Sequence, residues 1–487
     1  MIRFLFVFLL LFAPGLLPSS EKNSPVRESP RGKVEDAVFL RRVYLTAAGR
    51  IPSVPEARAF LADTSPDKRS RLIDQLLESE EFADLLAMRL ADLLRIKSEF
   101  PINLWPNAVQ AWHRKIRSDL LADRSWKEML EEMLTASGSN FRVPAANFFR
   151  ASPDRTPEGL AAITAQTVLG CNLEKLPDEQ KKRFAAFFSR IRYKSTDEWK
   201  EEIVYTDPAP AVLRAALPGG EVRTILSPDS DPRRILADEL LKPDSGFAEA
   251  AVNRVWCWIF GRGIYPDPDD LPAERNDPRL KELTRVFRES GYRFRELYRR
   301  ILNAEPFQSP VGTAEQEAEG RGYPIHRLEA ELLIDALAAA TGGYDRYMSV
   351  IPEPFTFLPA RTRAVTIADG SMSSGVLDSF GRPPRDSGKF SERRNAITDS
   401  QRLYLMNSGT LHQRIPPLPG RLFGKRKLND RQRIDLFYLR ILSRYSTRKE
   451  REAILAYRKS LPPKQRWNVW RDLAWVLINS KEFLYYH

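Results

Sequence analysis

Apolar residues recur three and four positions apart through most of the chain, the spacing that places side chains on one face of an α-helix. Leu72, Ile73, Leu76 and Leu77 form one such stripe, and Val109, Trp112, Ile116 and Leu120 form a second. Met129, Leu130, Met133 and Leu134 make a third, and Phe184, Phe187, Phe188 and Ile191 a fourth. Start signals fall between them. Ser65-Pro66, Thr156-Pro157, Asp231-Pro232 and Asp277-Pro278 each set a capping side chain before a proline, whose missing N–H costs nothing at the first helical position. Thr447 followed by Glu450 has the spacing of a capping box. Gly138, Gly170 and Gly342 follow helical runs, as C-terminal caps do. These stripes read as core faces, and the pattern predicts a mainly α protein.

Two stretches depart from that grammar. Glu202 to Leu226 alternates like a short β-hairpin around Pro218-Gly219-Gly220. Pro352 to Arg394 loses helical periodicity and is rich in Pro, Gly, Ser and Arg, as a long surface loop would be. The predicted fold is therefore two helical domains joined by a small connector that contains a β-hairpin. Its expected segments are 1–20, 21–35, 36–200, 201–230 and 231–487, in order an export signal, a spacer, a helical domain, the connector and a second helical domain.

The N-terminus carries the signal. Met1 to Arg3 is a short basic region, Phe4 to Leu17 is apolar and broken by Pro14, and Ser19 or Ser20 offers a cleavage position. The apolar run is shorter than the roughly 20 residues a bilayer core requires. A membrane enters the picture only if this signal stays uncleaved as a tether. Glu21 to Lys33, rich in Ser, Pro and charge, reads as a flexible spacer.

With 487 residues, 43% hydrophobic and 29% charged, the chain is long enough for two or three globular domains. Its net charge of +12 would suggest nucleic acid in a cytosolic protein, but export removes that partner and leaves anionic envelope polymers as counter-charge. The expected location is the periplasm or cell envelope. Two cysteines, Cys171 and Cys257, exclude a disulfide-dense scaffold or a multi-cysteine zinc site. A bridge between them and two separate buried thiols both remain open. No phosphate-binding glycine loop, paired-histidine zinc helix or nucleophile elbow occurs. The four histidines, His113, His326, His412 and His487, are scattered, so neither metal nor cofactor is expected.

Two polar constellations remain. Asn253 and Arg254 open the aromatic run Val255-Trp256-Cys257-Trp258, and Asp267, Asp269 and Asp270 follow shortly. Arg254, Trp256 and those carboxylates form a polar cleft for a sugar or cation on one reading, and a buried structural pairing on the other, since unpaired buried charge is costly. Phe380-Gly381-Arg382-Pro383-Pro384-Arg385-Asp386, continuing to Glu392, Arg393 and Arg394, is a proline-stiffened loop. Its arginines would lose little entropy in gripping a carboxylate, sulfate or phosphate. The alternative is a loop stapled to carboxylates on the helices below.

At these motifs the chain resembles a known family. DAVFLRRVYLTAAGR at Asp36 to Arg50, the NRVWCWIFGRG helix, GYPIHRLEAELLIDALAAATG and FGRPPRDS are similar to the paired exported domains of unknown function, numbered fifteen forty-nine and fifteen fifty-three. These occur in planctomycete and verrucomicrobial proteins and are often fused to a cytochrome c domain. The resemblance spans Asp36 to His487 and implies an exported helical protein associated with extracellular polysaccharide use. Relatives typically carry a Cys-x-x-Cys-His run where this chain reads Gly170 to Lys175, and a Cys-Glu-Cys-Glu-Arg run at Gly388 to Arg393. This chain has neither, and covalent haem needs two thiols and an axial histidine. Cys171 is then expected to be a small buried hydrophobe.

The function expected is binding or scaffolding at the cell envelope, for an anionic polysaccharide or an envelope protein, with Arg382, Arg385 and Arg393 as anion contacts. The alternative is a polysaccharide-acting enzyme with Asp267, Asp269, Asp270 or Glu392 as acid and base, which requires two carboxylates roughly 5 to 9.5 Å apart. A haem-less partner of a cytochrome is the third reading. Nothing in the pattern specifies an oligomeric state.

Overall fold

The computed structural model describes residues 32–209, 212–226, 231–318 and 321–487. The expected export signal and most of the spacer lie outside the described residues. Among those described the protein is mainly α, and its sheets are small. One sheet has three strands in the order β1 (Gly138–Ser139), β3 (Glu202–Thr206), β2 (Ile191–Ser195), and β4 (Val212–Ala215) pairs with β5 (Arg223–Leu226). A third pairs β6 (His326–Arg327) with β7 (Tyr485–Tyr486). No helix among the described residues is long and apolar enough to cross a membrane.

Every residue of the four predicted stripes is buried. Three stripes lie on the helices Lys68–Leu77, Pro106–Leu121 and Trp126–Thr135. The fourth begins on helix Asp178–Ala185, but Phe187 and Phe188 lie on a 3-10 turn and Ile191 opens β2. Thr156, Asp231 and Asp277 cap their helices as expected, each accepting from a first-turn amide. Thr447 and Glu450 complete the capping box. Ser65-Pro66 does not start a helix. The Ser65 amide bonds the Asp63 carboxylate at 2.8 Å, which holds a turn, and the helix begins at Lys68.

Gly170 and Gly342 close helical runs in the left-handed conformation. Gly138 instead sits in β1, paired with Val204. The expected hairpin is real only in its second half: β4 and β5 face each other across the Pro-Gly-Gly turn, whereas β3 pairs back to β2 and β1.

By contacts the chain divides into two compact units that do not follow its linear order. The first gathers the described residues up to Ile73 with Leu302–Asp345 and Asn395–His487. Its organising groups are two arginines of helix Asp36–Ala48. Arg41 donates to the carbonyls of Ile441 and Phe483, both at 2.9 Å. Arg42 donates to those of Phe307, Ser309 and His487, with its guanidinium 3.7 Å from the centre of the Tyr323 ring. Ile441, Phe307 and Phe483 lie near the C-terminal ends of their helices, where carbonyls have no helical partner. The arginines supply the missing donors. Burial lowers both guanidinium pKa values to about 10, so both stay charged at neutral pH.

The second unit comprises Asp74–Ile301 and Arg346–Arg394. The connector expected at 201–230 falls within it, as does the predicted long loop. That loop holds only short turns, at Ala364–Thr366, Gly375–Ser379 and Phe390–Glu392.

Candidate functional site

Both polar constellations fold into the second unit. Arg254 lies on helix Phe247–Phe260, buried on nearly every face. Its guanidinium pairs with Asp269 at 3.2 Å and donates to the carbonyls of Gln166 and Pro268, both at 3.1 Å. The second oxygen of Asp269 accepts the Phe390 amide at 2.6 Å, so this carboxylate ties the arginine loop to the helix. Asp267 accepts the Asp269 amide at 2.9 Å, a local turn of the kind aspartate favours. Asp270 pairs with Lys175. Trp256 is buried, its ring 4.3 Å from that of Phe260. This constellation takes the form of a structural pairing.

The arginine loop is turned inward. Arg385 is fully buried, in a left-handed backbone conformation. It reaches Asp92 at 2.8 Å and the Ala368 carbonyl at 2.7 Å. Arg393 takes the other oxygen of Asp92 at 2.6 Å. One carboxylate on helix Glu80–Leu93 thus holds two guanidiniums of the loop. Arg382 donates to the carbonyls of Asp369 and Met372. Glu392 accepts the amide and hydroxyl of Ser387 at 2.6 and 2.7 Å, closing a tight turn. The loop closes on itself where the Arg394 amide meets the Gly381 carbonyl at 3.1 Å. A Cβ on Gly381, whose φ is +87°, would lie 1.9 Å from the Arg394 carbonyl oxygen, so only glycine fits that closure. Beneath the loop, Arg89, Asp92, Arg254, Lys389 and Arg393 line a cavity of about 30 Å³, room for one or two waters.

Outside the clamp lies an open polar cleft of about 570 Å³, lined among others by Lys97, Glu99, Asp378, Glu392 and Arg394. Its carboxylates brace the surrounding loops. Glu99 accepts the Ser349 hydroxyl at 2.5 Å, and Asp378 accepts that of Ser373 at 2.5 Å. Lys97 pairs with Asp386 at 2.6 Å. Arg394 is exposed and has no ion-pair partner among the described residues.

Of the expected contacts, Arg382, Arg385, Glu392 and Arg393 therefore come together at the loop, and Arg254 and Asp269 meet them from below. Only Glu392 and Arg382 also line the cleft. Sequence reasoning missed Asp92, Lys97 and Glu99, whereas Arg394 belongs to the arginine loop it singled out. Asp92 had one visible signal, a lone carboxylate between the apolar residues Leu90, Ala91, Leu93 and Leu94.

Both cysteines are free thiols. Cys257 is buried in its helix, whereas Cys171 is half-exposed, less enclosed than expected. The two segments where relatives are expected to carry cysteine runs are tethered to one loop. The Leu271 amide bonds the Gly170 carbonyl at 2.8 Å, and Asp269 holds Phe390.

Residues 21–193 match the family described as Protein of unknown function (DUF1549), and residues 232–458 match that described as Protein of unknown function (DUF1553). No curated protein and no solved structure matches the chain.

Proposed function

We propose that this chain, which carries both members of the DUF1549 and DUF1553 pair, is an exported cell-envelope binding protein for an anionic glycan. The observation that carries this reading is Arg394: an exposed guanidinium without a counter-ion among the described residues, standing on an open polar cleft of about 570 Å³. A cation kept in water at the rim of a cleft attracts anionic ligands and adds to their association rate. The arginines first expected to make that contact instead hold the loop in shape, which supports a preformed site with little ordering cost on binding.

Binding is favoured over glycoside hydrolysis because the four carboxylates expected to act as acid and base serve other bonds. Asp269 neutralises Arg254, Asp270 pairs with Lys175, Asp267 holds a turn amide and Glu392 holds Ser387. The test is co-sedimentation of the mature protein with neutral, carboxylated and sulfated polysaccharides at two salt concentrations. Retention on an anionic polymer, reduced by added salt and by Arg394→Ala, is the expected result. Retention on none of them would overturn the glycan reading and leave a protein partner as the ligand.

A further inference from the structure

Three loops of the second unit bring Trp105, Trp199 and Phe355 into one aromatic cluster at the surface. Ring centroids are 4.6 Å apart for Trp105 and Trp199, 5.6 Å for Trp105 and Phe355, and 5.8 Å for Trp199 and Phe355. Trp199 is 63% exposed and Phe355 40%. Large apolar rings gathered in water, when a globular chain would gain by burying them, mark an interaction surface.

The cluster is built rather than incidental, because each contributing loop is tied down by hydrogen bonds to polar groups. Trp199 and Lys200 sit at the tip of the β2–β3 hairpin. There the buried Asn140 donates to the Lys200 carbonyl at 3.1 Å, and Glu201 accepts the hydroxyls of Ser139 and Thr196 at 2.5 and 2.8 Å. The loop before Trp105 is fixed by Asp369, which accepts the Ser98 amide at 3.0 Å and its hydroxyl at 2.5 Å. The loop carrying Phe355 is held by Glu99, through Ser349 at 2.5 Å and the Val350 amide at 3.2 Å.

Backbone strain gathers at the same place. Trp105 has φ 69° and ψ 146°, and Lys200 has φ 63°. Side chains other than glycine rarely adopt such conformations, and residues held in them concentrate at functional sites.

Charge says what the surface fits. The Lys200 ammonium lies 5.2 Å from the centre of the Trp105 ring and 5.9 Å from that of Trp199. It is exposed and has no carboxylate partner among the described residues. The cluster also adjoins the polar cleft through Glu99, which lines the cleft and anchors the Phe355 loop. Exposed ring faces suit the C–H faces of sugar rings, and Lys200 and Arg394, cations without a carboxylate partner among the described residues, call for negative charge along the same ligand.

We infer that Trp105, Trp199 and Phe355, with Lys200 above them, form a stacking subsite for an acidic glycan whose chain continues into the cleft. This inference rests on the glycan-binding reading above. Affinity electrophoresis through gels containing polygalacturonate, dextran sulfate or neutral dextran tests it, on the whole mature chain. The carboxylated and sulfated gels distinguish the two sources of negative charge.

Wild-type protein should be retarded in at least one anionic gel. Trp199→Ala and Phe355→Ala should each weaken that retardation about tenfold, with unchanged circular dichroism, and Lys200→Gln should weaken it in anionic gels only. If both aromatic variants bind as wild type while Arg394→Ala does not, the stacking subsite is wrong and the cleft reading stands. If wild-type protein is retarded in no gel, both fall.

Discussion

Replacing Asp92 with alanine removes the one carboxylate that two buried guanidiniums of the arginine loop share. Arg385 and Arg393 approach it at 2.8 and 2.6 Å, and their side chains are 0% and 5% exposed. Removing one partner of a buried pair costs about 3–5 kcal/mol, because the remaining charge is left uncompensated. Here Arg385 keeps the Ala368 carbonyl at 2.7 Å, so the lower part of that range, about 3 kcal/mol, is the expectation. That is a factor on the order of 100 in the population of the opened loop, since each 1.4 kcal/mol is tenfold.

Because the chain folds as two compact units, a single melting temperature would mix their transitions. Hydrogen exchange and limited proteolysis of residues 346–394 read the local opening directly. Asp92→Ala should raise both by about two orders of magnitude. Replacing Asp92, Arg385 and Arg393 together by leucine and methionine should restore much of the protection, as buried ion networks often tolerate apolar replacement. Exchange in Asp92→Ala within about threefold of wild type would refute the claim that this clamp holds the loop.

Two further outcomes follow from buried titratable groups. Burial, aided by the charges of Arg385 and Arg117, lowers the pKa of His113 from 6.5 to about 3. Between those values the unfolded chain binds a proton that the folded chain does not, so stability falls as pH drops from about 6.5 towards 3, by up to about 5 kcal/mol. Denaturant titrations across that range should show the slope in wild type and a shallower one in His113→Gln. Burial raises the pKa of both thiols, aided at Cys171 by Asp270 and opposed at Cys257 by Arg254. Iodoacetamide at pH 8 should therefore label Cys171 slowly and Cys257 only after denaturation, as followed by mass spectrometry.

What the sequence made legible is what depends on near neighbours. The stripes on Lys68–Leu77, Pro106–Leu121 and Trp126–Thr135, the caps at Thr156, Asp231 and Asp277, and the turn between β4 and β5 rest on contacts within a few residues. Long-range partners decided the rest. Gly138 leaves its helical run because Val204 offers it a strand, and Phe187 to Ile191 leave theirs because β2 must meet β3. A stiff arginine loop suits an inward clamp as well as an outward grip. The choice between them was made by Asp92, 293 positions before Arg385. The aromatic cluster was invisible for the same reason, since its three rings come from three distant loops.

The clamp and the proposed binding surface are parts of one physical arrangement. An exposed ring or guanidinium contributes to affinity only in so far as its loop is already ordered, because ordering it on binding costs about 0.5–1.5 kcal/mol for each immobilised side chain. In the second unit that ordering is done in advance. Asp92 and Asp269 hold the arginine loop that ends at Arg394, Asp369 and Glu99 hold the loops of Trp105 and Phe355, and Asn140 holds the tip that carries Trp199. Loosening one of these anchoring carboxylates should therefore weaken ligand retention without removing any group that touches the ligand. Asp92→Ala should lower glycan retention alongside Arg394→Ala, while leaving the exposed charges unchanged.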